Sequence, residues 1–343
     1  MATIRILLAT FRRPHLLARA LAGLRAQTFD DWICEVHNDD PADPEPEAIV
    51  ERLQDPRIRY WRHERNLGVT ATFNLMYAPT PEPLVSLLED DNWWEPRLLE
   101  TLRAVLEKHP EADVVWSNLR LWREEPDGSW TDLHQTVWPV PAAPGIRRFD
   151  WPETRQVTGH VHSNGAMLVR TRAASAHILP KDTAAGLTES VRERSYCHPL
   201  LLVEEPLANF AITRVTARAQ ERRKFFQQQV LLGGTFFRHH APGGRFGREL
   251  FAAARIPPSR STHVLVLGAL QSRAGWRWLR FVRPADLMWC LAWAGRHPRD
   301  AFDGLSGRRR MSALWSYLDR HTALRSAQAA SLPQSDDPPC RKS

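Results

Sequence analysis

The sequence predicts an α/β protein built on a mostly parallel, Rossmann-like sheet, with a ligand site at the carboxyl ends of the strands. Strand-length apolar runs alternate with amphipathic helical patterns between residues 4 and 118, and this alternation is typical of right-handed βαβ units. Polar or charged residues follow several of the apolar runs. Since parallel strands end at one edge of the sheet, these residues are expected to surround a single ligand.

Each predicted strand is a short apolar or β-branched run bounded by loop residues. The first, residues 4–10, is almost entirely apolar, as expected of a strand buried on both faces. It breaks at residues 11–14, and apolar residues then recur at helical spacing as far as Leu24. The same reasoning predicts strands at 32–37, 58–61, 84–88 and 113–118, and helices at 48–54, 69–77 and 98–106, the last opened by Pro96.

Two later segments have less regular patterns. Residues 119–152 are rich in Trp, Pro and Gly and predict loops or a small excursion beside the sheet. Residues 157–170 predict a further strand, in which His160 and His162 would lie on one face. These two histidines could contact a metal or a phosphate, or they could be ordinary hydrogen-bonded side chains.

Three consecutive carboxylates, Glu89, Asp90 and Asp91, follow the apolar run at 84–88. Adjacent acids repel one another, so holding them together costs free energy unless a cation or strong donors compensate. Carboxylate oxygens suit Mg²⁺ or Mn²⁺, and such a metal usually keeps waters and bridges substrate phosphates. The alternative from these residues alone is a solvated acidic turn.

Composition limits the class of protein. A chain of 343 residues with 43% hydrophobic content can bury a large core. Its four cysteines have no paired spacing, which disfavours a disulfide framework or a zinc site. We find neither a signal-peptide pattern nor an apolar run of about 20 residues that could span a bilayer, so the expected location is the cytoplasm.

The net charge of +7 conceals two oppositely charged parts. Residues 1–206 contain 23 Lys and Arg against 31 Asp and Glu, a net charge of −8. Residues 207–343 contain 23 against 8, a net charge of +15. A basic C-terminal third of this kind can attract anionic lipid, an acidic glycan or nucleic acid. No nucleic-acid motif is recognisable, so nucleic acid is not expected as a partner.

Four motifs in order, at residues 9–14, 38–41, 65–68 (with Asn74 following) and 88–96, resemble those of the family 2 glycosyltransferases with the GT-A fold. The resemblance covers roughly residues 3–215. It implies an inverting enzyme that uses Mg²⁺ or Mn²⁺ and moves a sugar from a nucleoside-diphosphate (NDP) sugar, with UDP favoured, to an acceptor hydroxyl. The implied setting is the synthesis of a bacterial surface polysaccharide, a glycolipid or a lipid-linked precursor, with a glycan or lipid-linked acceptor.

The resemblance also implies which residues bind the nucleotide sugar. The loop after the first strand, with Thr10, Phe11 and Arg13, would hold the nucleotide. Asp39 would read the base, and its alternative role is a turn acid before a proline. Arg65 would face the diphosphate, because a guanidinium fork matches phosphate oxygens; alternatively it is a solvated surface residue.

Within the carboxylate cluster, the family's acid-any-acid pattern falls on Glu89, Asp90 and Asp91. Asp91 is the predicted metal ligand, and Glu89 or Asp90 would approach the ribose or a metal-bound water. A Glu at the first position departs from the family's usual pattern, which leaves the division of roles between these two residues open.

The catalytic base is the least determined residue. In the family an Asp usually supplies it, about a hundred residues after the metal motif and in an acidic pair leading into a helix. This chain has no Asp there and offers Glu189 or Glu193. Glu189 is slightly favoured, because Glu193 lies between two arginines and could be a surface ion pair. If neither residue reaches the acceptor, the protein would be a weak or inactive relative.

The predicted organisation is a GT-A domain at residues 1–215, a basic and mainly helical region at 216–330, and a disordered tail at 331–343. Residues 276–283 and 287–293 interleave aromatic residues with arginines or leucines. This pattern suits either a helix in an anionic membrane interface, at the inner face of the cell membrane, or a helical subdomain packed on the catalytic domain. The other functions considered are a sugar-nucleotide nucleotidyltransferase and an inactive relative that binds glycan or membrane.

Overall fold

A computed structural model describes residues 3–214, 221–256 and 261–331 and confirms the α/β fold with a helical C-terminal region. Its strands are β1 (Ile4–Thr10), β2 (Trp32–Asn38), β3 (Ile58–Arg62), β4 (Leu84–Glu89), β5 (Trp93–Trp94), β6 (Val114–Glu124), β7 (Trp130–Thr136), β8 (Ile146–Phe149), β9 (Met167–Arg170) and β10 (Leu200–Ile212). Its α-helices are α1 (Pro14–Arg25), α2 (Glu45–Leu53), α3 (Val69–Asn74), α4 (Leu98–Lys108), α5 (Thr188–Glu193), α6 (Arg222–His239), α7 (Gly244–Ala253), α8 (Thr262–Ala269), α9 (Pro284–Arg296), α10 (Pro298–Arg310) and α11 (Ser312–Ser331).

All ten strands belong to one sheet, whose central order is β3-β2-β1-β4-β9-β6-β10-β5. Strands β3, β2, β1 and β4 are parallel neighbours, and β6 and β10 are also parallel. Strand β9 runs antiparallel between β4 and β6. The register pairs Thr10 with Asn38 and Ala9 with Glu89. The loops that follow β1, β2 and β4 therefore begin side by side at one edge of the sheet.

The excursion at residues 119–152 is more regular than predicted. Strand β6 continues to Glu124, because it pairs with β10 along its length, and it then turns into β7. The turn contains Asp127 and Gly128, and Gly128 has the positive φ of 82° that glycine adopts without strain. Asp-Gly is a strong hairpin signal that the composition of the segment obscured.

The predicted strand at 157–170 is wrong for most of its length, since only β9 is a strand. Residues 154–157 and 164–166 form single 3₁₀ turns. Carboxylates rather than a neighbouring strand satisfy the backbone here: Glu193 accepts from the backbone N–H groups of Val161 and His162, and Glu189 accepts from Asn164. The helix predicted at 98–106 is α4, which begins at Leu98; Pro96 lies in the turn between the Trp93–Trp94 strand and this helix.

The C-terminal helices pack against the sheet domain beside α5. A buried cluster joins Leu187 and Val191 to Leu231 of α6 and Leu318 of α11. Gln228 of α6 accepts a hydrogen bond from the backbone of Ala184 at 2.8 Å. The predicted boundary at 215/216 and the predicted tail, apart from residue 331, lie outside the described residues. Within those residues, no helix is both long and apolar enough to cross a membrane.

Candidate active site

A cavity of about 430 Å³ opens where β1, β2 and β4 end, and α5 and the end of β10 complete its wall. Its size is within the range of small-molecule sites. Most of the residues predicted to form the site line it: Thr10, Phe11, Arg13, Asp39, Glu89, Asp90, Asp91 and Glu189. The structure thus brings together residues that lie up to 179 positions apart in the sequence.

Arg13 compensates part of the negative charge of the acidic cluster. Its guanidinium lies 2.5 Å from an oxygen of Asp90 and 2.7 Å from an oxygen of Asp91. Burial opposes the charge of Arg13, but the two carboxylates raise the pKa of the guanidinium above its usual value. Burial raises the pKa of Asp90 to about 7, against the opposing effect of Arg13. Arg13, predicted as a nucleotide contact, is thus also the cation that lets two adjacent acids share this edge.

The local backbone directs Arg13 toward the acids. Arg12 adopts a left-handed conformation, with φ of 58°, which is uncommon for a residue with a Cβ. The resulting turn sends Arg12 to Asp40 at 2.7 Å and leaves Arg13 immediately before α1, facing the opposite loop. Thr10 donates a hydrogen bond to Asp90 at 2.9 Å. Asp90 is therefore a buried anchor, whereas Asp91 is only half-buried.

Asp39 organises the loop that follows β3. Its carboxylate accepts hydrogen bonds from the backbone N–H groups of Leu67 at 2.7 Å and Gly68 at 2.9 Å. His63 Nδ1 lies 2.9 Å from the same carboxylate. Gly68 has a φ of 80° and immediately precedes α3. The carboxylate of Asp39 thus has a structural role in addition to any contact with a nucleotide base.

Asn92 connects the acidic loop to β10, a contact that the sequence did not reveal. Its amide nitrogen donates to Glu89 at 2.8 Å, and its oxygen accepts from the backbone N–H of Ala211 at 3.0 Å. Gly165 packs below this pair, and a Cβ at that position would lie 2.9 Å from the Asn92 amide nitrogen. The absence of a side chain at position 165 therefore keeps Glu89 and Asn92 in place.

A divalent metal fits this site only together with a phosphorylated ligand. No group of three or more His, Cys, Asp or Glu side chains within the described ranges could hold a metal ion. Asp91 is nevertheless half-buried on the cavity, and the side-chain hydrogen bond described for its carboxylate goes to Oδ2. Mg²⁺ is commonly held by one or two carboxylates plus substrate phosphates and water. The donor set thus fits a metal whose remaining ligands come from a diphosphate.

Glu189 lies on the wall of the cavity, near the N-terminus of α5. One carboxylate oxygen accepts a hydrogen bond from the backbone N–H of Asn164 at 2.8 Å. The other oxygen lies 3.3 Å from His160 Nε2, whose Nδ1 lies 2.9 Å from the hydroxyl of Ser190. His160 therefore contacts the candidate base, and its ring also lies edge-on to that of His162, with 5.8 Å between the ring centroids.

Glu193 does not line the cavity and is buried. It accepts hydrogen bonds from Gln156 at 3.0 Å and from two backbone N–H groups, and it lies 2.5 Å from His162 Nδ1. Burial alone would raise the pKa of Glu193, but the hydrogen bond and charge of His162 lower it to about 2. A buried carboxylate with this many donors is poorly placed to take a proton from a substrate.

The position of Arg65 and the contribution of β10 to the cavity differ from what the sequence predicted. Arg65 is exposed and does not line the cavity, whereas its neighbour Asn66 does. The carboxyl end of β10 and the residue after it contribute four lining residues that the sequence did not indicate, Phe210, Ala211, Ile212 and Thr213. Their position at the end of a strand could have indicated them, but β10 was not predicted from the sequence.

The fold and this site define a class, the glycosyltransferases of GT-A type. Within that class, the chain carries a domain of the family described as glycosyl transferase family 2, whose model matches residues 5–172. The predicted family and fold are thereby confirmed.

Two curated relatives share 26% identity with short stretches of the chain. The first, over 107 residues, is the uncharacterized protein y4gI of Sinorhizobium fredii, of which the chain covers 12%. The second, over 117 residues, is the uncharacterized glycosyltransferase MJ1057 of Methanocaldococcus jannaschii, of which it covers 40%. These matches cover 31% and 33% of the present chain. The chain thus spans less than half the length of either relative.

Among solved structures, S. aureus TarS has a similar fold. The match to TarS has a TM-score of 0.59 at 12% identity and covers 90% of this chain and 55% of that one. TarS 1-349 in complex with UDP matches with a TM-score of 0.57 at 10% identity, over 96% of this chain and 90% of that one. At these identities the likeness concerns the fold alone.

Proposed function

We propose that this protein is an inverting glycosyltransferase that moves a sugar from an NDP-sugar to an acceptor hydroxyl. The observation that carries the proposal is one cavity lined both by the acidic cluster with its arginine and by the carboxylate of Glu189. The first group, together with a divalent metal, suits a nucleoside diphosphate, and the second suits proton transfer. The family 2 domain supports the same reaction class.

The nucleotide would lie across the ends of β1, β2 and β4, with Thr10, Phe11 and Asp39 nearest to it. Arg13 would retain its two carboxylate partners and still bring positive charge to the cavity wall, since guanidinium has five donors. Arg65, although outside the lining, immediately precedes the lining residue Asn66 and would need to turn inward to reach a phosphate. UDP is the first nucleotide to test, because TarS, which has a similar fold, was crystallised with UDP and with UDP-GlcNAc.

We place the divalent metal, Mg²⁺ or Mn²⁺, at Asp91, with Glu89 and Asp90 behind it. When bound, such an ion neutralises the negative charge that develops on the diphosphate leaving group. Arg13 contributes a fixed positive charge to the same edge. Glu89 is held by Asn92 and Asp90 by Thr10, so both carboxylates are already oriented before a ligand enters.

Glu189 would act as the base. As the acceptor oxygen attacks the anomeric carbon, the proton of the acceptor hydroxyl passes to the Glu189 carboxylate. The bond from the anomeric carbon to the diphosphate then breaks, and NDP leaves. The backbone of Asn164 fixes one oxygen of Glu189, and His160 lies beside the other. His160 is therefore a positioning residue for the base. The packing of α6 and α11 against the α5 region holds this side of the cavity in place.

The acceptor is proposed as a hydroxyl of a glycan or of a lipid-linked saccharide in bacterial surface-polysaccharide or glycolipid synthesis. A lipid-linked acceptor would bring a cytoplasmic enzyme to the inner face of the cell membrane. The net charge of +15 in residues 207–343 supports an anionic partner on that side of the molecule.

Donor binding tests the first half of the proposal. The protein is titrated by calorimetry with a panel of NDP-sugars, with and without Mn²⁺, and with Mn²⁺ alone. We expect one nucleotide class to bind, more tightly with Mn²⁺, and no tight binding of Mn²⁺ alone. Synthesis of an NDP-sugar from a sugar phosphate and NTP would instead identify a nucleotidyltransferase. Donor binding without NDP release under any acceptor would identify an inactive relative.

A further inference from the structure

Helices α9 and α10 present apolar side chains to the surface. On α9, Met288 is 66% exposed and Leu291 is 59% exposed. These two residues and Gly295 recur at helical spacing along one outward face of α9. On α10, which follows α9 after a single residue, Phe302 is 61% exposed and Leu305 is also exposed. Large apolar side chains grouped in this way usually mark an interaction surface.

Trp278 and Trp293 of the interleaved aromatic pattern pack against other helices, whereas Trp276 is 58% exposed. Trp278 is only 1% exposed and packs on Phe236 and Phe237. Trp293 packs on His263. Trp278 and Trp293 are therefore packed within the helical region. This packing does not account for the exposed leucine, methionine and phenylalanine side chains of α9 and α10.

The acids of this region are paired. Asp286 lies 2.6 Å from Arg255. Asp303 is buried between Arg223 and Arg310, and Asp300 lies 3.6 Å from Arg223. These contacts remove the negative charge that would otherwise repel an anionic surface.

Exposed arginines border the apolar faces. Arg296 and Arg299 line a shallow cleft together with Arg223, which connects α6 to the junction of α9 and α10. Arg310 stacks over the ring of Phe302, with 5.3 Å between the guanidinium carbon and the ring centroid. Basic and apolar groups are thus contiguous on α10. This combination is typical of helices that lie in the plane of an anionic membrane interface.

We propose that the outward faces of α9 and α10 form a docking surface for an anionic lipid bilayer, which we call the α9–α10 surface. It is defined by Leu287, Met288, Leu291, Phe302 and Leu305, bordered by Arg296, Arg299 and Arg310. The apolar side chains would enter the boundary between headgroups and acyl chains, and the arginines would contact lipid phosphates. The lipid, rather than a second copy of this chain, is favoured because the bordering charge is predominantly positive, with Asp300 in the cleft paired to Arg223, and would repel itself across a symmetric contact.

Vesicle sedimentation with the full chain tests this proposal. The protein is mixed with vesicles of phosphatidylcholine, or of phosphatidylcholine with phosphatidylglycerol, at low salt and at about 1 M salt, where charges are screened beyond roughly 3 Å. We expect binding to the anionic vesicles, a loss of at least tenfold at high salt, and little binding to the neutral vesicles. Equal binding to both compositions would overturn the proposal, as would no binding to either.

Matched variants locate the surface. The double variant Met288→Ser, Leu291→Ser should lower the partition coefficient by at least tenfold, and Leu324→Ser on α11, an exposed leucine elsewhere, should leave it unchanged. Arg299→Gln should weaken binding several-fold at low salt, and Arg52→Gln on α2 should not. Unchanged melting temperatures and donor affinity would show that the variants are folded.

Two further outcomes would refute the assignment. Wild-type binding by the double variant would mean that lipid attaches elsewhere. A concentration-dependent dimer in light scattering, dissociated by the double variant and without vesicle binding, would instead make the α9–α10 surface an interface between copies of this chain. Neither outcome bears on the proposed transferase activity, which donor binding and NDP release test independently.

Discussion

Replacing Glu193 with Gln should destabilise the fold without removing the catalytic base. The Glu193 carboxylate is buried and is bound by Gln156, by His162 and by the backbone of the 161–162 segment. Burial raises the pKa of Glu193, but His162, with a smaller effect of His160, lowers it from 4.5 to about 2. At about 1.4 kcal/mol for each pKa unit, the native state favours the charged form by roughly 3 kcal/mol. Breaking a buried charge pair typically costs a similar amount.

The stability difference between the wild type and the Glu193→Gln variant also depends on pH. Because folding lowers the pKa of Glu193, its contribution to stability is fully present above pH 4.5 and is lost as the pH falls from 4.5 towards 2. Urea unfolding, followed by tryptophan fluorescence at several pH values, measures this contribution. The Glu193→Gln variant should be roughly 3 kcal/mol less stable than the wild type at pH 7, and the difference should shrink below pH 4.5.

Glu189→Gln is the matched control, since it changes a half-buried carboxylate of the same short helix. It should alter the unfolding free energy far less than Glu193→Gln. The reasoning would be refuted if Glu193→Gln unfolded like the wild type while losing NDP release. That result would instead identify Glu193 as the catalytic base.

Two further predictions concern the donor site. Asp91→Asn should abolish the increase in donor affinity that Mn²⁺ produces, while affinity measured without metal changes little; calorimetric titration checks this, and an unchanged Mn²⁺ effect would contradict the metal assignment. Gly165→Ala should weaken donor binding several-fold with only a modest loss of stability, because the new Cβ would lie 2.9 Å from Asn92 and 3.1 Å from Glu89. Donor affinity equal to that of the wild type would show that this contact does not position the acidic loop.

The sequence predicted the sheet edge well because the relevant information is local. The run of apolar residues before Glu89 defines a buried strand, and a βαβ alternation places its end beside those of β1 and β2. The clustering of Thr10, Asp39 and the three acids follows from that topology. Their individual partners do not follow from it: the pairing of Arg13 with Asp90 depends on the turn at Arg12, which has a positive φ.

The choice between Glu189 and Glu193 required the tertiary structure. Both lie at similar distances along the chain from Asp91, and both belong to α5. Which of them faces the cavity depends on how α6 and α11 pack against this helix and on where His162 lies. The hairpin of β6 and β7 was missed for a different reason, since an Asp-Gly turn signal was present within a segment interpreted as loop from its composition.

NDP release from the donor that binds best, in the presence of an acceptor, tests the central claim most directly. We predict that wild-type protein and folded Glu193→Gln release NDP, and that Glu189→Gln binds the donor with unchanged affinity but releases NDP at least about a hundredfold more slowly, as expected when general-base catalysis is lost. Wild-type rates of release by Glu189→Gln would contradict the claim that the carboxylate on this cavity wall activates the acceptor.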